Sequence, residues 1–355
     1  MHTIRKHRVQ FNTPAFLGNA EQNAQWRTPP FKAQLRQWWR VAYAADHKFN
    51  VQLADMRREE GLLFGHAWLE NDRDEKGNKV AARSSQVRLR LSRWEEGGLK
   101  KNQWPRLASV RHPEVPQQVA SDLYLGYGPV TLPRGAQQPT LKSNAAIQPG
   151  EEAELLLAYP ESVIQRLDRA LWLMHQYGTA GGRSRNGWGS YELAPVPIVT
   201  EQGTKAPLRN WRECLALDWP HAIGQDEQGA LIWQTTPHDD WKVLMKTLAI
   251  IKIGLRTHFR FATGDGAYQP DARHWLSYPV TRHSVQPWGN NARLPNQLRF
   301  KVRRNSDGKL IGVIFHMPHL PPPAFNPDRQ AIVAVWTQVH RFLDNPAQQL
   351  KRIAE

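Results

Sequence analysis

Gly178–Gly189 (GTAGGRSRNGWG) gathers the residue types that meet a phosphate chain: five glycines, two arginines and a tryptophan in twelve positions. Glycine lets a backbone approach a phosphate closely and turn consecutive N–H groups toward it. Arg183 and Arg185 can pair with phosphate oxygens, and the Trp188 ring can stack a base. The phosphate loop of an NTPase would need G-x-x-x-x-G-K-[ST] between a strand and a following helix. Here Gly178 and Gly182 are one residue too close, Arg183 holds the lysine position, and the order reads helix, loop, strand. An NTPase is not expected.

A second segment, Thr13–Arg40, combines amides and cations. Its loop offers Asn19, Gln22, Asn23, Gln25 and Arg27; the helix after it offers oriented N–H groups, a positive dipole end and Lys32. Arg36 and Arg40 follow Lys32 at four-residue steps and continue a basic stripe, while Trp38 or Trp39 is expected in the core.

Other chemistry finds little support. His7, His47, His258 and His283 have the side chain for acid–base work near neutrality, but none sits in a catalytic grouping. Asp46, Asp55 and Asp265 show no spacing that singles one out as a metal-dependent nuclease residue. His316 and His319 form an HxxH interrupted by Pro318, and Asp72 and Asp74 lack the full calcium-loop pattern. Cys214, the single cysteine, removes disulfides and multi-cysteine zinc sites. No catalytic residue, metal or cofactor is expected, and the chain reads as a binder rather than an enzyme.

Composition agrees with a polyanion partner. The 355 residues carry 47 Lys+Arg against 32 Asp+Glu, a net charge of +15, which favours nucleic acid first and acidic membrane second. Fifteen tryptophans suit both base stacking and a core. With 40% apolar residues there is material for two ordinary domains. No run of eighteen uncharged apolar residues occurs, and no apolar run follows the charged N-terminus, so the expected location is the cytoplasm.

The elements that must position these residues follow from periodicity. A strand is predicted over 3–11 and a helix from Thr28, as cap, with Phe31, Leu35, Trp38, Ala42 and Ala45 on its apolar face. A second amphipathic stretch covers 52–69, through Leu53, Met56, Leu63 and Trp68. Ser85–Leu91 alternates as a half-buried strand whose open face carries Arg88 and Arg90. Residues 94–118 read as an irregular insertion; strands are predicted at 122–127, 141–147 and 153–159, a helix at 161–177 ending at Gly178, and a strand from Tyr191. Pro195–Lys205 is the best linker. Beyond it a helix is predicted at 239–255, capped by Asp239 or Asp240, then strands at 275–283, 297–303 and 310–316, and a helix at 328–343. Asn305–Gly308 makes a hairpin turn between the last two strands. Each half has the ferredoxin-like order β-α-β-β-α, but only the first shows a closing strand.

These segments carry a family resemblance. Thr13-Pro14…Leu17-Gly18, Lys32-x-x-Leu35-Arg36-x-Trp38-Trp39-Arg40 and Leu63-Phe64-Gly65 resemble the N-terminal pattern of RAMP proteins. Tyr124–Gly128 and the run Gly181–Ser190 add to it, and together they look most like the first RAMP subunit of the Cmr-type (type III-B) CRISPR effector. The resemblance is good over about residues 8–193 and weaker over 275–316, where Arg293–Val302 resembles a second-domain strand. Asn186 stands where the family usually has another basic residue.

The resemblance implies an α+β chain of two tandem ferredoxin-like (RRM-like, RAMP) domains with insertions and a glycine-rich loop, at 1–197 and 206–355. It implies a non-catalytic, RNA-binding place in an antiviral ribonucleoprotein, with guide RNA, complementary target and other effector subunits as partners and no membrane. A backbone subunit of a variant type I or type IV complex, or a guide-processing RAMP endoribonuclease, is the alternative. The expected phosphate contacts are Arg27, Lys32, Arg36, Arg40, Arg88, Arg90, Arg183 and Arg185, then Arg256, Arg260, Arg299, Lys301, Arg303 and Arg304, with Trp188 stacking a base.

Overall fold

Strand β1 (His2–Phe11) alternates at its C-terminal end: His7, Val9 and Phe11 are buried, Lys6 and Arg8 exposed. The chain, seen here as a computed structural model, is described at residues 1–67, 69–70, 72–197, 199, 204–289 and 291–353. Trp68, expected on the second helix, and residues 198 and 200–203 of the expected linker lie outside the described residues.

The chain divides into two units. The first comprises Met1–Lys100, Ser143–Gly182 and Gly189–Pro207. After β1 come α1 (Thr28–Asp46), α2 (Leu53–Phe64), β2 (Arg88–Leu91), β3 (Glu152–Pro160), α3 (Ile164–Tyr177) and β4 (Tyr191–Ala194). The sheet order is β4-β1-β3-β2, antiparallel throughout. Helix α1 buries Phe31, Leu35, Trp38 and Ala42 of the predicted face, leaves Ala45 half-buried, buries Trp39 as well, and packs on α3. Trp38 meets Tyr177 at 5.7 Å, and Trp26 stacks on Phe31 at 6.3 Å. Burying such rings supplies the main driving force of this core.

Thr28 is not the cap of α1. The cap position falls on Arg27 and makes no side-chain hydrogen bond. With Arg27 at the cap position, Pro29 and Pro30 are the second and third helical residues and have no N–H for a capping oxygen to bond, so the helix starts without one.

The second unit comprises Lys101–Lys142, Arg183–Trp188 and Leu208–Glu355. Its main elements are β5 (Ile232–Gln234), α4 (Trp241–Thr257), β6 (Leu298–Arg304), β7 (Leu310–His316), α5 (Arg329–Asp344) and β8 (Lys351–Arg352). The order β6-β7-β5-β8 is again antiparallel and repeats the arrangement of the first sheet. The closing strand missing from the sequence reading is therefore present as β8. Arg352 fixes it, pairing with Asp226 at 2.6 Å and Asp344 at 2.9 Å.

Other predicted elements differ. Residues 122–127 are mostly helix, Ser121–Gly126, rather than strand. Asp122 accepts from the Trp104 indole at 2.8 Å, and Gly126 lies against the Trp188 ring, so side-chain packing overrides the β-propensity of Leu123, Tyr124 and Leu125. Residues 275–283 hold the end of a 3-10 turn and isolated bridges instead of a strand. The first strand of this sheet is β5, which the sequence reading missed. Asp240 caps α4 by accepting from the Lys242 N–H at 2.8 Å. Among the described residues no helix is long and apolar enough to cross a membrane.

Candidate nucleic-acid interface

In the first unit two arginines of the α1 basic stripe, both partly exposed, hold a carboxylate of α2. Arg36 Nε donates to Glu60 at 2.8 Å, and Arg40 donates to both oxygens of the same carboxylate at 2.8 Å. Glu60 is only 4% exposed, so these two cations neutralise a buried charge before they meet anything else. Lys32 lies half-buried beside them, and burial, followed by repulsion from Arg36, pulls its pKa down. Arg27 donates to the Gly18 carbonyl at 2.5 Å and closes its own loop.

The open sheet face of this unit is partly neutralised as well. Lys6 pairs with Glu154 at 2.5 Å and Arg8 with Glu152 at 3.5 Å. Arg88 and Arg90, exposed on the edge strand β2 opposite buried Leu91, have no carboxylate within salt-bridge distance among the described residues.

The glycine-rich loop divides between the units. Gly178–Gly182 and Gly189 belong to the first, Arg183–Trp188 to the second. The glycines of its base serve close packing rather than anion binding. Gly182 N–H donates to Phe16 O at 3.0 Å and Gly189 N–H to Pro14 O at 2.8 Å. Gly189 has φ +63, and a Cβ there would sit 1.9 Å from Ala180 O, so no other residue fits. The expectation that these N–H groups face a phosphate does not hold, because protein carbonyls already occupy them.

The tip is anchored by its backbone and by Asn186. Phe300 N–H, on β6, donates to Arg185 O at 3.0 Å. The Asn186 amide donates to Leu125 O at 2.6 Å and accepts from Lys252 of α4. Trp188 is fully buried, 5.8 Å from the Trp104 ring and 6.1 Å from Trp241. It is a core residue of the second unit, and its faces are closed to a base; the stacking role expected from sequence is corrected on this point.

What the tip leaves outside is charge. Arg183 and Arg185 are exposed, while Lys252 and Arg299 are half-buried. No carboxylate lies within salt-bridge distance of these four among the described residues. Burial lowers the Lys252 pKa to about 7, helped by Arg256 and Arg183. Burial lowers that of Arg299 to about 9, helped by Arg185. Cations that depress one another without a counter-charge form a site that an anion would stabilise.

The remaining expected contacts are distributed as follows. Arg256 is half-buried, with its pKa lowered first by burial; Glu114, nearby, pairs with Arg273 at 2.6 Å. Lys301 is fully buried, Arg303 half-buried, and Arg260 and Arg304 exposed. Arg304 donates to Gly308 O at 2.9 Å within its hairpin.

The candidate acid–base groups are dispersed. His7 Nδ1 donates to Pro195 O at 2.9 Å; His47 stacks on Tyr43 at 4.1 Å; His283 stacks on Phe261 at 3.7 Å; His258 is exposed after α4. Asp46 pairs with Arg166 at 2.7 Å and with Arg169 at 3.1 Å. Among the described residues no group of three or more His, Cys, Asp or Glu is placed to hold a metal ion. Cys214 is buried, which pushes its thiol up to about 12.

Comparison with known proteins gives the following. No curated protein matches the chain. Among solved structures it is similar to Cmr1 from Pyrococcus furiosus in its apo form, at 16% identity and a TM-score of 0.42, over 88% of this chain and 87% of that one. It is also similar to a chain of the type III-B Cmr-beta complex bound to cognate target RNA and AMPPnP, at 11% identity and a TM-score of 0.42, over 96% and 100%. The RAMP superfamily model matches residues 8–192, over half of the chain, spanning β1 through β4 and the glycine-rich loop, and the chain is therefore a member of the RAMP superfamily.

Proposed function

We propose that this chain is an RNA-binding, non-catalytic subunit of a CRISPR ribonucleoprotein effector, and that both of its units are ferredoxin-like domains. Two sheets with the same antiparallel strand order, each closed by a strand after its last helix, support the fold reading. Membership of the RAMP superfamily supports the effector role.

The observation that carries RNA binding is the group of four cations, Arg183, Arg185, Lys252 and Arg299, without a carboxylate within salt-bridge distance among the described residues. A phosphate backbone supplies the missing charge, and the Arg guanidinium groups suit paired contact with its oxygens. On the first unit, taken by itself, Arg88 and Arg90 are the phosphate contacts we propose; Arg36 and Arg40 act mainly by holding Glu60. Sequence selectivity then comes from base pairing between guide and target, and the effector's other subunits are partners.

The test is binding of single-stranded RNA by the full chain at several salt concentrations. Arg183→Ala with Arg185→Ala should weaken binding and reduce the slope of log affinity against log salt by about 1.4, from about 0.7 per lost phosphate contact. The RNA should be recovered intact. Unchanged affinity in the double variant would defeat the reading, and defined RNA fragments would defeat its non-catalytic part.

A further inference from the structure

With Trp188 closed off, a ring that stacks a base at this site must come from another element. Tyr127 is 66% exposed, immediately after the short helix Ser121–Gly126, in the same unit as the loop tip. An exposed aromatic is unremarkable by itself. Its surroundings set this one apart. Arg183 Nε donates to the carbonyl of Tyr127 at 2.5 Å. The guanidinium also lies over Gly128, where an added Cβ would be 3.6 Å from Nη2. Asn186 reaches Leu125 O at 2.6 Å, so two side chains of the loop tip grip the turn that carries Tyr127.

The turn is fixed from its other side too. Gly128 has φ +114, and its N–H donates to Val130 O at 3.1 Å. Arg183 itself has φ +55, a left-handed conformation that an arginine adopts only when its surroundings hold it there. Tyr127 thus offers an exposed ring on a backbone that a guanidinium holds by its carbonyl, which brings a π-face and a phosphate ligand to one turn. That is the combination that single-stranded nucleic acid uses, because a base in a duplex has no free face.

We propose that Tyr127 is the stacking platform for one unpaired nucleobase at this site, and that Arg183 holds the adjoining phosphate. The proposal rests on the RNA-binding reading above and deepens it: the ligand is a single strand with at least one unstacked base.

The experiment compares the full wild-type chain with Tyr127→Ala, Tyr127→Trp and the control Tyr268→Ala. Tyr268 is 79% exposed in the same unit but shares none of these hydrogen bonds among the described residues. The probes are a single-stranded RNA containing 2-aminopurine and an abasic ribose-phosphate oligomer of equal length. Tyr127→Ala should weaken RNA binding by about 5- to 150-fold and abolish the fluorescence change of the 2-aminopurine. Its salt slope and its affinity for the abasic oligomer should match wild type. Tyr127→Trp should restore most of the binding that Tyr127→Ala loses, and Tyr268→Ala should bind RNA as wild type does. Equal RNA affinity for Tyr127→Ala and wild type overturns the stacking role and leaves the electrostatic reading standing. An equal loss on the abasic oligomer also overturns it, since the ring would then be supporting Arg183 rather than a base. Absence of salt-sensitive RNA binding in the wild-type chain overturns both readings together.

Discussion

The HxxH of His316 and His319 resolves, at the scale of single residues, into a buried histidine group of the second unit. His316 and His340 share a hydrogen bond of 3.0 Å, and His316 stacks on Trp336 at 4.1 Å. His319 bonds Met317 O at 3.0 Å, and His221 bonds Trp219 O at 2.8 Å. All four are buried. Burial is the first cause that lowers each pKa: to about 4 for His319 and His221, to about 3 for His340, and well below 6.5 for His316. The cations Arg209, Arg212, Arg299 and Arg352 push in the same direction, and only Asp226 opposes them at His340. In the unfolded chain these side chains protonate near pH 6.5. Below that pH the unfolded state therefore binds protons that the folded state refuses. Stability should be complete above about pH 6.5 and fall as the pH drops toward the folded values, by up to about 1.4 kcal/mol per pH unit for each such histidine. Denaturant titrations at a series of pH values check this, and a midpoint that stays level from pH 7 to pH 4.5 would contradict it. His340→Gln or His316→Gln should reduce the acid sensitivity even if it lowers stability at neutral pH.

At the scale of elements, long amphipathic helices and clean alternation were legible, and short pieces were not. Helix α5 was read at 328–343 from Ile332, Val335, Val339 and Phe342; the structure has Arg329–Asp344 and buries the first three, with Phe342 half-buried. Its cap is Asp328, whose carboxylate accepts from Gln330 N–H at 2.9 Å and Ala331 N–H at 3.0 Å. Asp328→Ala should cost about 1 kcal/mol in a denaturation experiment, and Asp328→Asn much less. An alanine variant as stable as wild type would mean that water satisfies those donors equally well. The hairpin at Asn305–Gly308 was legible for a similar reason, since its turn is made by adjacent residues. By contrast β5 has three residues and β8 two, too few for a period of two to register. Both exist because the neighbouring strands and the Arg352–Asp226–Asp344 contacts complete them. The site divides along the same line. Arg183 and Arg185 stood out because glycine and arginine concentrate locally. The burial of Trp188 could not be read, because it depends on Trp104 and Trp241, distant in sequence. Tyr127 was hidden inside a run that looked like a strand.

Taken as a whole, the molecule does not divide where its linker suggests. A cut between 197 and 206 follows the chain, but the second unit also contains Lys101–Lys142 and Arg183–Trp188. These stretches contribute to its core and its ion pairs. Trp104 and Trp188 pack with Trp241 of α4, Phe300 of β6 bonds Arg185, and Arg273 pairs with Glu114 at 2.6 Å. Gly187 lies against Leu248 and Met245, so removal of the tip uncovers apolar surface on α4. A fragment of residues 206–355 would retain its sheet and both helices yet lack this cover, and losing the buried Trp188 together with the half-buried Trp104, at about 3–5 kcal/mol for a fully buried ring, takes up much of the usual margin of about 5–15 kcal/mol. We expect the fragment to keep helical far-ultraviolet signal, lose cooperative thermal unfolding and bind a hydrophobic dye, while the full chain unfolds cooperatively. Cooperative unfolding of the fragment at the temperature of the intact second unit would show that the inserted stretches are accessories and that the linker marks the true boundary. If instead the fragment fails, the loop tip proposed to meet RNA is also part of what makes the second unit fold. Arginine substitutions that spare Asn186 and Trp188 are then the variants that probe binding without disturbing the core.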